Sequence, residues 1–510
     1  MADRRSAAEL IEVLTDPDSF EPWFTDVVST DPLAFVDTKP YRERLADANE
    51  KTSQNESIVT GQASVRGHAL ALIVGEFGFL AGTQGVASAE RVVRAFERAV
   101  DLGLPMLALP VSGGTRMQEG TVGFVQMAKA AAAVQRFRDS GLPYVVWLRH
   151  PTTGGVLASW ASLGQLTLAQ PEALLGMTGP RVIELLEGSP FPEGIQTAEH
   201  LHERGVVDDV CRAEELAERV GRFLGVAFGA IGEPPARGTE NGGVAEPGLA
   251  LPDETEVDPW EAVRRSRRTD RPGIRELLTI CATDTTALRG DDAGTDDPGC
   301  LALLARVSDV PVVLIGHDRP PGERGARLTH AGYRKARRAM ELAQELHLPL
   351  VTIIDTAGAV SEPESEERGL AAEIARCLAT MSTLEVPTLS LLLGEGTGGG
   401  ALAFLPADRV IAAEHAWLAP IAPEGASAIL YRTTDRAEEL AASQAIASTD
   451  LRRLGLVDVV VPDRPRSGEE GASFGARIAA TAARELRDLI HRHPRERRSA
   501  RLNRYRVLGH

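Results

Sequence analysis

The residues of this chain best placed to do chemistry are glycines that follow four Pro-led apolar runs. In the first half, the run 105–111 ends in Ser112-Gly113-Gly114, and a run from Pro143 ends in Thr153-Gly154-Gly155. In the second half, the run 349–354 ends in Asp355-Thr356-Ala357-Gly358-Ala359, and a run from Pro387 ends in Gly394-Glu395-Gly396-Thr397-Gly398-Gly399-Gly400. Pro105 and Pro143 lie 38 residues apart, as do Pro349 and Pro387; Gly114 and Gly155 lie 41 apart, as do Gly358 and Gly399. One unit has been used twice. Glycine at a strand exit permits a tight turn and leaves main-chain N–H groups uncovered, and a pair of such groups can hold an enolate oxygen. Helix–sheet packing also asks for glycine, but it does not require Gly-rich exits twice in each half.

A different chemistry competes for one of these loops. Gly394-Glu395-Gly396-Thr397-Gly398-Gly399 fits Gly-x-Gly-x-x-Gly after a strand, with Glu414 20 residues beyond Gly394, the spacing of a dinucleotide fingerprint. The helix that must follow has room only between Ala401 and Leu405, before Pro406 and Asp408. The loop of the first half keeps only Gly154 and Gly155 of the pattern. No Gly-Lys-Ser/Thr follows any glycine run, so a phosphate-cradling P-loop is excluded.

The elements that position these loops are legible in the periodicity. Residues 91–100 place apolar side chains at helical spacing and stop at Gly103; residues 333–342 match them in the second half. Helices are expected at 127–137 and 371–381, between the paired glycine sites. Helix-then-strand order predicts parallel strands joined by crossovers, with ligands at the strand C-terminal ends. Two hairpins, 57–65 with 69–75 and 300–307 with 311–316, are expected to open the two halves. Residues 232–256 are rich in Gly, Pro and acid without periodicity and read as a linker, giving domains at 1–231 and 257–510.

Composition narrows the class. With 510 residues, 43% apolar and 25% charged, the chain is that of a globular protein with room for two large α/β domains. A net charge of −17 argues against nucleic acid as a partner. No run approaches the ~18 apolar residues of a membrane span, and no apolar segment follows the charged N-terminus, so a cytoplasmic location is expected. Cys211, Cys281, Cys300 and Cys377 are widely spaced, and no histidines stand at metal-binding intervals, so no bound metal is expected. The C-terminal cluster Arg492, Arg495, Arg497, Arg498, Arg501, Arg504 and Arg506 reads as a solvated helix balancing an acidic body, with binding of an anion such as a CoA phosphate as the alternative.

Longer motifs then carry a family resemblance. Ser112-Gly113-Gly114-Thr115-Arg116-Met117-Gln118-Glu119, Gln126-Met127-Ala128-Lys129 and Gly179-Pro180-Arg181-Val182-Ile183-Glu184 resemble the β subunit of the acetyl-CoA carboxylase carboxyltransferase. Asp258-Pro259-Trp260-Glu261, Gly332-Tyr333-Arg334-Lys335-Ala336, Asp355-Thr356-Ala357-Gly358-Ala359, the 394–401 loop and Pro423-Glu424-Gly425-Ala426-Ser427 resemble its α subunit. The likeness runs from about residue 31 to the C-terminus, outside the linker, with the β-like part fused ahead of the α-like part. It implies an α/β architecture of two tandem crotonase-like (ClpP/crotonase) domains, each a superhelix of ββα units.

The resemblance also implies a reaction: transfer of CO2 from carboxybiotin to the α-carbon of acetyl-CoA, giving malonyl-CoA. Two oxyanions then need amides, one on the thioester and one on the ureido group. Carried over by residue, Gly113, Gly114, Gly154 and Gly155 would serve the CoA thioester, and Gly358, Ala359, Gly399 and Gly400 would serve biotin as catalytic and cofactor-binding positions. Arg116 and Gln118 would brace the Gly113-Gly114 loop. The implied partners are a biotin carboxyl carrier protein and a biotin carboxylase on other chains, and a second copy forming a homodimer. Leu402-Ala403 after Gly399-Gly400-Ala401 matches acetyl-type relatives, where propionyl-type relatives carry Tyr-Asp.

Departures define the alternatives. The family's Asp-Thr-Pro-Gly-Ala-Tyr-Pro-Gly reads Asp355-Thr356-Ala357-Gly358-Ala359-Val360-Ser361-Glu362 here, Gly316-His317-Asp318-Arg319 lacks a following Lys-Gly-Arg, and residues 1–30 hold no zinc-ribbon cysteine. The alternatives are a biotin-independent malonyl-CoA-type decarboxylase, a carboxyltransferase for propionyl-CoA or another acyl-CoA, and a non-catalytic scaffold.

Overall fold

A computed structural model describes residues 4–31, 33–228, 255–319, 325–360, 362–463 and 473–506; the expected linker falls almost wholly outside them. The chain divides into two compact units, Met1–Phe228 and Gly229–His510.

In the first unit the strands are β1 (Glu21–Trp23), β2 (Ile58–Val65), β3 (His68–Gly75), β4 (Met106–Leu109), β5 (Tyr144–Leu148), β6 (Thr152–Thr153), β7 (Leu166–Ala169), β8 (Leu175–Gly176) and β9 (Asp209–Val210). Seven form one sheet in the order β1-β2-β3-β4-β5-β7-β9, while β6 pairs with β8. The β2–β3 hairpin turns on Arg66 and Gly67, both at positive φ (50° and 80°), as a two-residue hairpin loop demands. From β3 onward every pair in the sheet is parallel. Helices Val86–Leu102 and Gly120–Asp139 make the crossovers, and the first ends on Gly103 at φ 64°, the left-handed cap that glycine supplies. Phe96, Phe137 and Tyr144 meet edge-on with centroids 5.1–6.3 Å apart, seating these helices on the sheet.

The second unit repeats the plan with β10 (Ala282–Ala287), β11 (Cys300–Val307), β12 (Val310–His317), β13 (Leu350–Thr356), β14 (Thr388–Thr397), β15 (Arg409–Ala413), β16 (Trp417–Ala419) and β17 (Val459–Val461). Its sheet order is β10-β11-β12-β13-β14-β15-β17, with β16 beside the end of β14. The β11–β12 turn is Ser308-Asp309, again both at positive φ (47° and 69°). Helices His330–Glu345 and Leu370–Thr383 cross over to β13 and β14. Both expected hairpins and all four expected helices are present, the helices longer at each end than the periodicity indicates.

The arginine-rich C-terminus is the solvated helix expected only in part, at exposed Arg492, Arg495 and Arg506. On helix Pro494–Arg504, Arg497 and Arg501 are buried. Arg501 donates to the Met381 and Leu384 carbonyls (2.6 and 3.1 Å) and to both oxygens of buried Asp408; Arg504 bonds Asp458 at 2.9 Å. Arg501 answers a carboxylate some ninety positions earlier in the chain and Arg504 one some fifty earlier, pairings that local charge counting does not reveal.

Candidate functional site

Each unit brings its two glycine loops side by side at the C-terminal edge of its sheet, in one repeated backbone geometry. Gly114 and Gly358 both have φ 113°; Gly154 and Gly398 have φ 66° and 65°. The hydroxyl two residues before the first glycine brackets each loop. Ser112 Oγ accepts from the Gly114 N–H (2.9 Å) and donates to the Gly114 carbonyl (3.1 Å). Thr356 Oγ1 likewise accepts from the Gly358 N–H at 3.0 Å, with its hydroxyl 2.6 Å from the Ala326 carbonyl and 2.9 Å from that of Gly358. The loops of the first unit touch: a Cβ on Gly154 would lie 3.0 Å from Gly114 Cα, so only glycine fits.

The amide inventory corrects the expectation that all eight positions offer free N–H groups. Gly113 donates to the Ala81 carbonyl (2.9 Å), Gly114 to Ser112, Gly154 to the Gly176 and Met177 carbonyls (3.2 and 3.0 Å), and Gly358 to Thr356. These four shape the turns. Among the described residues, Thr115, Gly155 and Val156 in the first unit and Ala359 in the second keep N–H groups without an acceptor. Gly399 and Gly400 open the short helix Gly398–Leu402, whose first N–H groups have no partner within the helix. Each unit thus pairs the amide that follows its first loop with those of its second. Thr115 and Val156 were missed because sequence marks the glycine and not the neighbour whose amide it frees.

The first loop is braced as expected of Arg116, though Gln118 shows no bond among the described residues. Arg116 is fully buried and reaches Glu56, Ser57 Oγ (3.1 Å), Ser29 Oγ (2.6 Å), Tyr41 Oη (3.2 Å) and the Thr83 carbonyl (2.8 Å). Glu119 accepts from Tyr41 Oη (2.7 Å) and the Val86 N–H (2.6 Å). Burial alone would push the Glu56 carboxyl up, but Arg116, Ser29 and the Ser57 N–H together hold it below the usual carboxylate range. Above Gly155 lies Met127, whose sulfur a Cβ at that position would strike. Met117, Phe124 and Met177 expose 74%, 62% and 64% of their surface, an apolar rim in the same segments as the loops.

A different set of charges backs the second unit's loops. Arg271 bonds Asp355, and Asp355 Oδ1 also accepts from the Glu395 N–H (3.3 Å). Arg267 pairs with Glu424 and lies 3.6 Å from Glu395. Burial, reinforced by Asp355, raises the Glu395 carboxyl above its usual range against the pull of Arg267. A cavity of about 770 Å³ opens here, lined in part by Arg267, Asp297, Arg327, Ala357, Glu395 and Glu424. Gly394 and Gly396 lie within β14; a Cβ on Gly394 would strike the Arg271 guanidinium, and one on Gly396 the Trp417 carbonyl (2.9 Å). They are packing glycines, and the helix after them has five residues, so the dinucleotide pattern has no phosphate loop behind it.

Among the described residues, Glu414, His415 and Asp463 form one trio with ligand atoms within 4.8 Å of one another; the Asp463 N–H bonds Glu414 Oε2 at 3.0 Å, tying the ends of β15 and β17. No helix among the described residues is long and apolar enough to cross a membrane.

The family model described as "Acetyl co-enzyme A carboxylase carboxyltransferase-like" matches residues 254–509. A Mycobacterium tuberculosis protein named "Probable biotin-dependent acyl-coenzyme A carboxylase beta3 subunit" is 47% identical over 506 residues, covering 99% of both chains. The "Acetyl-coenzyme A carboxylase carboxyl transferase subunits beta/alpha" of Saccharopolyspora erythraea is 37% identical, over 95% of this chain and 86% of its own. Among solved structures, transcarboxylase 12S superposes with a TM-score of 0.73 at 21% identity over 95% of this chain and 90% of that one. A single-chain long-chain acyl-CoA carboxylase gives 0.70 at 20% identity, over 94% of this chain and 46% of its own. Both units therefore have the crotonase-like fold expected.

Proposed function

The chain belongs to the biotin-dependent acyl-CoA carboxyltransferases, and from that premise we propose that it carries a carboxyl group from carboxybiotin to the α-carbon of acetyl-CoA. One observation carries the reading: two glycine-loop pairs with the same dihedrals, each leaving unspent amides beside one another. Backbone donors fixed in place before the reaction stabilise developing oxyanions, each worth about 2.7–4 kcal/mol when one is removed. In the first unit the Thr115, Gly155 and Val156 amides take the thioester oxygen, with Met127 turning aside and the Met117–Phe124 rim holding the acyl-CoA.

In the second unit the residues fit a ureido group: Ala359, Gly399 and Gly400 offer backbone donors on neighbouring turns. Carboxybiotin would supply the CO2 and a nitrogen able to take the α-proton, and the first unit's loops, 112–115 and 153–156, carry no ionisable side chain to compete for it. The carrier protein and carboxylase are other chains. A second copy docks on the apolar faces of helices Pro180–Glu187 and Pro423–Tyr431, where Leu185, Leu186, Ile429 and Leu430 are 60–84% exposed.

The reaction run backwards tests this: malonyl-CoA and free biotin should give acetyl-CoA and carboxybiotin, faster than methylmalonyl-CoA or ethylmalonyl-CoA does. Malonyl-CoA loss that ignores biotin would establish the decarboxylase instead. A preference for the branched substrates would move the acyl assignment to propionyl-CoA or butyryl-CoA.

A further inference from the structure

One flexible side chain is pressed against the free amides of the first unit. A Cβ on Gly155 would run into the Sδ and Cε of Met127, and its Cγ would stand 3.3 Å away. The thioether therefore rests directly on the Gly155 α-carbon, the atom bonded to a nitrogen whose N–H has no acceptor among the described residues. An oxygen that accepts from that N–H comes up beside Met127.

Helix Gly120–Asp139 brings the side chain there. Gly123, Ala130, Val134 and Phe137 are buried on it at helical spacing, and Met127 stands in the same stripe. Unlike them it is only half-buried, so part of its surface is open to solvent and to a ligand. The second unit packs its loop differently. There Ile374 of helix Leu370–Thr383 faces Gly399, but a Cβ on that glycine would meet Cγ2 and Cδ1 at 3.5 and 3.7 Å, an ordinary contact. Seating a helix on such a loop thus does not require a side chain pushed onto the glycine. The close thioether belongs to the unit whose amides are assigned to the acyl-CoA. Methionine is unbranched and swings on three bonds, so it yields to a small group more readily than to a large one.

Resting on the carboxyl-transfer reading above, we propose that Met127 is a specificity-determining residue. It occupies the space beside the thioester where a substituent on the α-carbon would lie, and so favours acetyl over propionyl or butyryl groups. One methylene in a pocket changes discrimination by about 10- to 200-fold. The test is Met127→Ala and Met127→Val in the full chain, with two readouts. In reverse transfer to free biotin, kcat/KM for ethylmalonyl-CoA relative to malonyl-CoA should rise at least tenfold in Met127→Ala and at least threefold in Met127→Val. By calorimetry without biotin, the Kd for butyryl-CoA relative to acetyl-CoA should fall by similar factors. Ratios within twofold of the parent in both variants would overturn the proposal. So would an equal loss with every substrate alongside a lower melting temperature, which marks a packing role. A shifted Kd ratio in a protein whose parent transfers nothing to biotin would overturn the carboxyl-transfer reading and leave the size filter standing.

Discussion

The two units share backbone angles to within a degree at their glycine turns and share almost nothing in what stands behind them. In the first, one guanidinium, Arg116, is fully buried among Glu56, Glu119, Tyr41 and two serines, a closed network with its carboxylate held in the charged form. In the second, Arg267 borders an open cavity with Glu395, whose carboxyl burial drives towards the neutral form. A duplication kept what places amides and let go of what surrounds them. Two sets of loop amides with one glycine geometry therefore stand in surroundings of unlike shape and charge.

The largest expected effect breaks the closed network. Arg116→Leu leaves Glu56 charged and unpaired in the core, which should cost about 3–5 kcal/mol of stability, whereas Arg271→Leu leaves buried Asp355 with Arg319 still 3.6 Å away and should cost less than half as much. Urea midpoints of the two variants check this, and equal losses would erase the contrast between the units.

Next come the left-handed glycines. Gly154→Ala combines an unfavourable φ with a Cβ 3.0 Å from Gly114 Cα, and should lose about 2–3 kcal/mol. Gly398→Ala has the same φ but meets only the Pro420 carbonyl, at 3.3 Å, and should lose about 1–2 kcal/mol. Thermal melts rank the pair; the opposite order would mean that the touching loops of the first unit part easily.

The smallest effect sharpens the contrast through pH. Glu56 has a depressed folded-state value, so its contribution is complete above the ordinary carboxylate range and disappears as pH falls through that depressed value. Glu395 is raised, so the folded state binds its proton more tightly than the unfolded chain does, and stability drops as pH climbs from the ordinary range through the raised value. Glu56→Gln should therefore lower the urea midpoint at pH 7 and converge on the parent in acid. Glu395→Gln should leave the midpoint at pH 7 level or higher. Parallel profiles for the two variants would show that the carboxylates share one environment.

Sequence made the duplication visible because glycine and proline punctuate it: Gly103, Gly114, Gly154, Gly358 and Gly398 all stand where φ is positive. The hairpins were equally plain from their apolar runs. Which amides remain unspent was not, because the Ala81 carbonyl that occupies Gly113 and the Met177 carbonyl that occupies Gly154 come from segments no spacing rule connects to the loops. Arg501 and Asp408 escaped for the same reason.

Ser112 and Thr356 each accept from the glycine amide two residues on, so the bend of each turn is fixed by its own residues even though Gly113 and Thr356 also reach the Ala81 and Ala326 carbonyls outside it. A bend fixed in this way depends less on the side chains around it. Residues around it can drift towards a longer acyl chain, or another carrier, without the turn having to be reinvented, and an engineer who wishes to retune this enzyme should vary the walls and leave those two hydroxyls alone.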